Sequence, residues 1–142
     1  MMVNAVVEAM KSEKRNVVRV AAAIISWEGR FLIAKRKAGV HLAGFWEFPG
    51  GKCEIGESLE DCLRRELHEE LDVTISNPVP FEIIHHSYPD KTVELHFYRC
   101  SISGGVAEAR ECAEIRWVSR EELQQYRFPP ADEPVLRALQ RL

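Results

Sequence analysis

The chain has 142 residues, 46% of them hydrophobic and 29% charged, with a formal net charge of −3. That length provides one domain with a core of its own, and the balance is that of an ordinary soluble globular protein. The small negative charge argues against a nucleic-acid polymer or an acidic membrane as partner, and no apolar run approaches the ~20 residues that span a bilayer.

Residues 1–16 read as a charged N-terminal extension without a clean period, ahead of a single domain over 17–142. Val3 to Met10 is interrupted by Asn4 and Glu8 and has its basic residues, Lys11, Lys14 and Arg15, on the wrong side for a signal peptide. Asn16 to Trp27 is apolar and β-branched, Glu28-Gly29 is a turn, and Phe31 to Ala34 returns, which predicts a β-hairpin. A basic run (Lys35-Arg36-Lys37) and a loop over Ala38 to Gly44 lead to a short apolar-aromatic piece, Phe45 to Phe48. A Gly-rich turn, Phe48-Pro49-Gly50-Gly51, follows.

The spacing of Leu59, Cys62, Leu63 and Leu67 predicts a core-facing helix from Ser58 to Leu71, with Ser58 and Asp61 as a weak capping box. Strands are expected over Phe81 to Tyr88 and Val93 to Ser101, joined by the turn Pro89-Asp90-Lys91. Gly104 to Ala109 reads as a loop, Ile115 to Val118 as a last strand and Ser119 to Gln125 as a short capped helix. Phe128 to Ala131 reads as extended, and Asp132 to Leu142 as a terminal helix with Pro134 in its first turn. The expected fold class is α+β, an α/β/α sandwich with helices packed on a mixed sheet. Cys53, Cys62, Cys100 and Cys112 form no C-x-x-C pair and no His/Cys ligand spacing. Zinc is therefore not expected, and a reducing cytoplasmic compartment is.

The apolar stripe of the central helix calls for apolar side chains at positions 66 and 70. The chain has Glu66 and Glu70 there, with Glu69 one step to the side. Carboxylates on a buried face repel one another and lose hydration, at a cost of several kcal/mol per ion unless a cation compensates. Oxygen ligands of this kind suit a hard divalent ion, Mg²⁺ or Mn²⁺. A solvated acidic face with Glu–Arg pairs is the alternative.

Gly51, Glu57, Arg65-Glu66-Leu67, Glu69-Glu70 and Asp72-Val73 stand at the spacing G-x5-E-x7-R-E-U-x-E-E-x-G-U. This resembles the Nudix box, every position matching except the second glycine, which is Asp72. Trp46 to Lys52 and Phe128 to Pro134 extend the resemblance to the MutT-type branch. Asp72 falls just past the helix, at a position where glycine commonly takes a left-handed conformation; aspartate there costs of order 1 kcal/mol. The resemblance implies a Nudix fold and hydrolysis of a nucleoside diphosphate linked to another group, with Mg²⁺ as cofactor and Mn²⁺ as its substitute. It implies Glu66, Glu69, Glu70 and the Gly50 carbonyl as metal ligands, joined by a loop glutamate, for which Glu111 aligns best ahead of Glu108 and Glu114. Arg65 then pairs with a box glutamate, Glu57, and orients the carboxylates; Glu57 also suits a helix N-terminus on its own account.

For the substrate, the resemblance places Arg36 near the α-phosphate, against a plain solvated strand-end arginine. Phe48, Tyr88 and Leu95 match nucleobase-pocket positions, against plain core. Asp132 stands where 8-oxoguanine-specific members have asparagine, while MutT-like enzymes that hydrolyse cytidine nucleotides have a similar Ala-Asp pair. An ionised aspartate only accepts hydrogen bonds, favouring a base edge rich in N–H donors; Asp132 could instead cap the terminal helix. The leading expectation is a pyrophosphohydrolase of oxidised or modified dNTPs such as 8-oxo-dGTP, monomeric or homodimeric. Alternatives are CTP or 5-methyl-dCTP, ADP-ribose or dinucleoside polyphosphate as substrate, and a non-enzymatic Nudix-like binding module.

Overall fold

In the computed structural model, residues 17–142 are described, and the extension expected over 1–16 lies outside them. The first hairpin forms as β1 (Val17–Trp27) and β2 (Arg30–Lys35), closed by Glu28 and Gly29 with φ of 49° and 74°. Two successive positive φ values match the right-handed twist of the flanking strands. β3 (Trp46–Glu47) pairs with β2, and β4 (Gly50–Lys52) pairs antiparallel with β1. Gly50 and Gly51, expected as a turn, are therefore strand residues. β1 is long enough to pair with β2 at one end and with β4 nearer the other.

α1 (Leu59–Leu71) is followed by β5 (Thr74–Ile75), the hairpin of β6 (Val79–Ser87) and β7 (Thr92–Cys100), β8 (Ile102–Gly104) and β9 (Glu114–Ser119). β7 runs parallel to β1 along nine residue pairs and β9 lies antiparallel to β2, so the seven-stranded sheet is mixed. β5 and β8 form a separate two-stranded sheet, so the expected loop at Gly104 begins as strand. These strands are too short to show a period.

Ser58 caps α1, its Oγ accepting from the Asp61 N–H at 3.1 Å. The short helix after β9 is a 3₁₀ turn (Glu121–Gln125); Ser119 and Glu122 bond each other's backbone N–H, a reciprocal cap. A second 3₁₀ turn (Pro130–Asp132), where extended chain was expected, leads directly into α2 (Glu133–Gln140).

Alternation along β1 divides the core. Ala21, Ala23 and Ile25 face Leu63, Leu67 and Leu71 of α1, while Ala22 and Ile24 face Val135 and Leu139 of α2. The expected α/β/α layering follows from this period of two. Among the described residues, no helix is long and apolar enough to cross a membrane, and all four cysteines are free.

Candidate active site

α1 carries the carboxylates, and β4 brings the glycines against them. A Cβ at Gly51 would lie 2.3 Å from the Glu66 carboxyl, and one at Gly50 would lie 2.0 Å from the Ala21 carbonyl oxygen. At Gly50 the β1 backbone leaves room for glycine alone, whereas a side chain at Gly51 would displace the Glu66 carboxyl. Glu70 is buried, its Oε2 accepting from the Gly50 N–H at 3.4 Å; Glu66 is partly buried and Glu69 is exposed.

Burial pushes the Glu70 carboxyl up to about 8, and the like charges of Glu47, Glu66 and Glu111 add to the effect, against the bond from Gly50. Glu66 is also raised, chiefly by burial and against the pull of Arg65. Arg65 is the hub of the group. It donates twice to Glu57, from Nε to Oε2 at 2.7 Å and from Nη2 to Oε1 at 2.9 Å. Its Nη1 reaches Glu66 at 3.0 Å and Glu69 at 3.3 Å. Glu57 is correspondingly drawn down to about 2, first by the bonds from Arg65 and then by the Glu54 backbone.

The irregular chain after Gly105 docks on the end of α1. The Glu108 N–H donates to Leu71 O and the Arg110 N–H to Glu70 O, both at 3.0 Å, satisfying carbonyls that a helix end leaves free. Glu111 is thereby brought within electrostatic reach of Glu66 and Glu70. Glu108 faces Arg110 at 3.7 Å, and Glu114 pairs with Arg116.

A cleft of about 330 Å³ opens beside the glycine strand. Its apolar wall includes Phe48, Leu95 and Phe97, with Tyr88 half-exposed at the rim. The Phe48 ring lies 5.2 Å from that of Phe128 and 6.2 Å edge-on from that of Phe97, so it serves core and cleft together. Asp132 also lines the cleft, buried, making no side-chain bond to the start of α2. The capping alternative for Asp132 is therefore not realised. Burial, and then Glu47, push its carboxyl up to about 7. Arg36 lines the same cleft, donating to Glu47 at 2.9 Å and to the His41 carbonyl at 2.7 Å. A larger cleft of about 500 Å³, between the first 3₁₀ turn and α2, contains none of these acidic or glycine residues.

Among the described residues, no three His, Cys, Asp or Glu side chains converge closely enough to form a ready-made metal site. Arg65 holds Glu66 and Glu69 while Glu70 turns to Gly50. The donor set nevertheless fits a hard divalent cation. It is all oxygen, one carboxylate is buried, and its neighbours are like charges.

Residues 20–138 match the NUDIX domain family. The chain belongs to the NUDIX family. Among its relatives, the 8-oxo-dGTP diphosphatase of Escherichia coli (strain K12) is 36% identical over 126 residues, covering 88% of this chain and 98% of that protein. The CTP pyrophosphohydrolase of the same organism is also 36% identical over 126 residues, covering 89% and 93%. The solution structure of the E. coli ORF135 protein superposes with a TM-score of 0.75 at 37% identity, covering 89% of this chain and 91% of that one. Like its NUDIX relatives, the chain is a hydrolase of phosphoric anhydride bonds.

The NUDIX fold brings Gly50, Glu57, Arg65, Glu66, Glu69, Glu70 and Glu111 to one side of the glycine strand, and Arg36, Phe48, Tyr88, Leu95 and Asp132 to the adjoining cleft. Sequence reasoning misses Glu47. It bonds Arg36, its charge acts on both Glu70 and Asp132, and burial raises its own carboxyl. The one signal for it is an acid inside the apolar run Trp46-Glu47-Phe48.

Proposed function

We propose that this protein is a nucleoside triphosphate pyrophosphohydrolase, converting NTP and water to NMP and pyrophosphate, with oxidised or modified dNTPs such as 8-oxo-dGTP as its first targets. The observation that carries the proposal is a carboxylate cluster with buried Glu70 at its centre, directly beside an apolar cleft whose lining includes the buried Asp132. A cleft of this size and lining accommodates a nucleobase.

In this reading, Glu66, Glu69, Glu70, the Gly50 carbonyl and Glu111 hold Mg²⁺, or Mn²⁺ in its place. When bound, such an ion lowers the pKa of water and neutralises charge on the phosphates. The proton of the attacking water passes to a carboxylate of α1 or to Glu111. Arg36 faces the α-phosphate from the cleft wall, and the neighbouring Glu47 fixes its guanidinium. Arg65 acts through Glu57, Glu66 and Glu69, setting where their oxygens lie. Phe48, Leu95 and Tyr88 give the base its apolar contacts, and Asp132 meets its polar edge.

Residues 17–142 form the hydrolase domain in this reading, acting on a small nucleotide in the cytoplasm, as a monomer or homodimer. The similarity to a CTP pyrophosphohydrolase favours a second substrate reading, CTP or 5-methyl-dCTP; an ionised Asp132 accepts from the cytosine amine as it does from guanine N1 and N2. Purified protein with Mg²⁺ should release pyrophosphate from 8-oxo-dGTP, dGTP, CTP or 5-methyl-dCTP, and kcat/KM ranks the two readings. Turnover of ADP-ribose or diadenosine polyphosphate with none of these triphosphates would reject the proposal.

A further inference from the structure

We infer that Asp72, which stands where the family pattern has glycine, is a positioning residue for Glu111, tying the loop over 105–113 to the end of the carboxylate helix. Asp72 has φ 58° and ψ 42°, a left-handed conformation that glycine adopts at lower cost. What the aspartate adds is its side chain. Its Oδ2 accepts from Arg110 Nη2 at 2.9 Å, and Arg110 immediately precedes Glu111.

The same short stretch is tied at two further points, through Glu108 N–H to Leu71 O and Arg110 N–H to Glu70 O. The loop also enters against this residue. A Cβ at Gly105, φ +82°, would meet the Asp72 carbonyl oxygen at 2.7 Å. On the far side, the Ala113 N–H donates to Lys35 O at 2.9 Å. Glu111 thus hangs between α1 and β2 on a segment with no regular structure of its own, so its placement depends on these ties. Both members of the Asp72–Arg110 pair are about half-exposed, and such a pair adds little to global stability. Its effect is on local opening of the loop.

This inference rests on the reading of Glu111 as part of the metal-facing cluster. The test compares Asp72→Gly, Arg110→Ala, the double variant and Glu111→Gln with the wild type. Two readouts are taken: amide hydrogen exchange of residues 105–113 in the metal-free protein, and Mn²⁺ affinity by calorimetry. Asp72→Gly should leave Tm unchanged or higher, yet speed exchange of the Glu108 and Arg110 amides and weaken Mn²⁺ binding about twofold to fivefold. Arg110→Ala should do the same, and the double variant should lose no more than either single one. Wild-type exchange and affinity in Asp72→Gly would overturn the inference. If Glu111→Gln alone weakens Mn²⁺ binding, only the role of Asp72 has failed. If Glu111→Gln leaves binding intact, the reading of Glu111 itself has failed.

Discussion

The Glu47 carboxylate is the strongest like-charge influence on Glu70, although one lies on β3 and the other on α1. Glu47 also bonds Arg36 and acts on Asp132, so one side chain links Arg36, the carboxylate helix and Asp132. Replacing it should disturb all three. Glu47→Gln keeps the shape and removes the charge, leaving Arg36 without its ionic partner. KM for the nucleotide should rise about tenfold, the loss of one charge-assisted contact, and an unchanged KM would show that Arg36 is held by other means.

Glu70 sets function against stability. Its folded carboxyl is raised from 4.5 to about 8, so the folded protein keeps a proton that the unfolded chain loses. Its favourable contribution is complete below about pH 4.5 and disappears as the pH rises to about 8. Glu70→Gln should therefore stabilise the metal-free protein at pH 8, by roughly 1–3 kcal/mol once partial access to water is discounted, and leave it unchanged at pH 4.5. Hydrolysis should fall roughly 10²-fold or more in the same variant. Thermal unfolding at the two pH values checks the first statement, and equal shifts at both would contradict it.

Asp132 reads the base in this account. Burial and Glu47 hold its carboxyl near 7, so at neutral pH both its protonated and ionised forms are populated. Asparagine at this position donates and accepts but carries no charge. Asp132→Asn should change the ratio of kcat/KM for 8-oxo-dGTP to that for CTP, and an unchanged ratio would remove Asp132 from base recognition.

Arg65 needs the planar fork of its guanidinium, because it donates to both oxygens of Glu57 while reaching Glu66 and Glu69. Lysine keeps the charge and loses the fork. Arg65→Lys should lower kcat about 10- to 100-fold with little change in nucleotide KM. A change confined to KM would place Arg65 in substrate binding instead.

The helix and its layers are legible in the sequence because their periods run long enough to read. Leu59, Cys62, Leu63 and Leu67 mark the buried face of α1, and Ser58 marks its start. Glu70 continues that face, and the structure buries it. Glu47 escapes such a reading because its strand is two residues long and its importance lies in contacts far along the chain. β5 and β8 escape it for the same reason of length. The choice among Glu108, Glu111 and Glu114 depends on four loop ties and two competing arginines, none of which leaves a periodic trace. Asp132 admits two roles from its type alone, and only the missing bond to the start of α2 separates them.

Titration calorimetry of Mg²⁺ or Mn²⁺, with a non-hydrolysable nucleotide present, tests the central claim most directly. The wild type should take up the ion, and Glu66→Gln and Glu70→Gln should each weaken that uptake strongly while remaining folded. No uptake by the wild type, or uptake indifferent to both substitutions, would contradict the account.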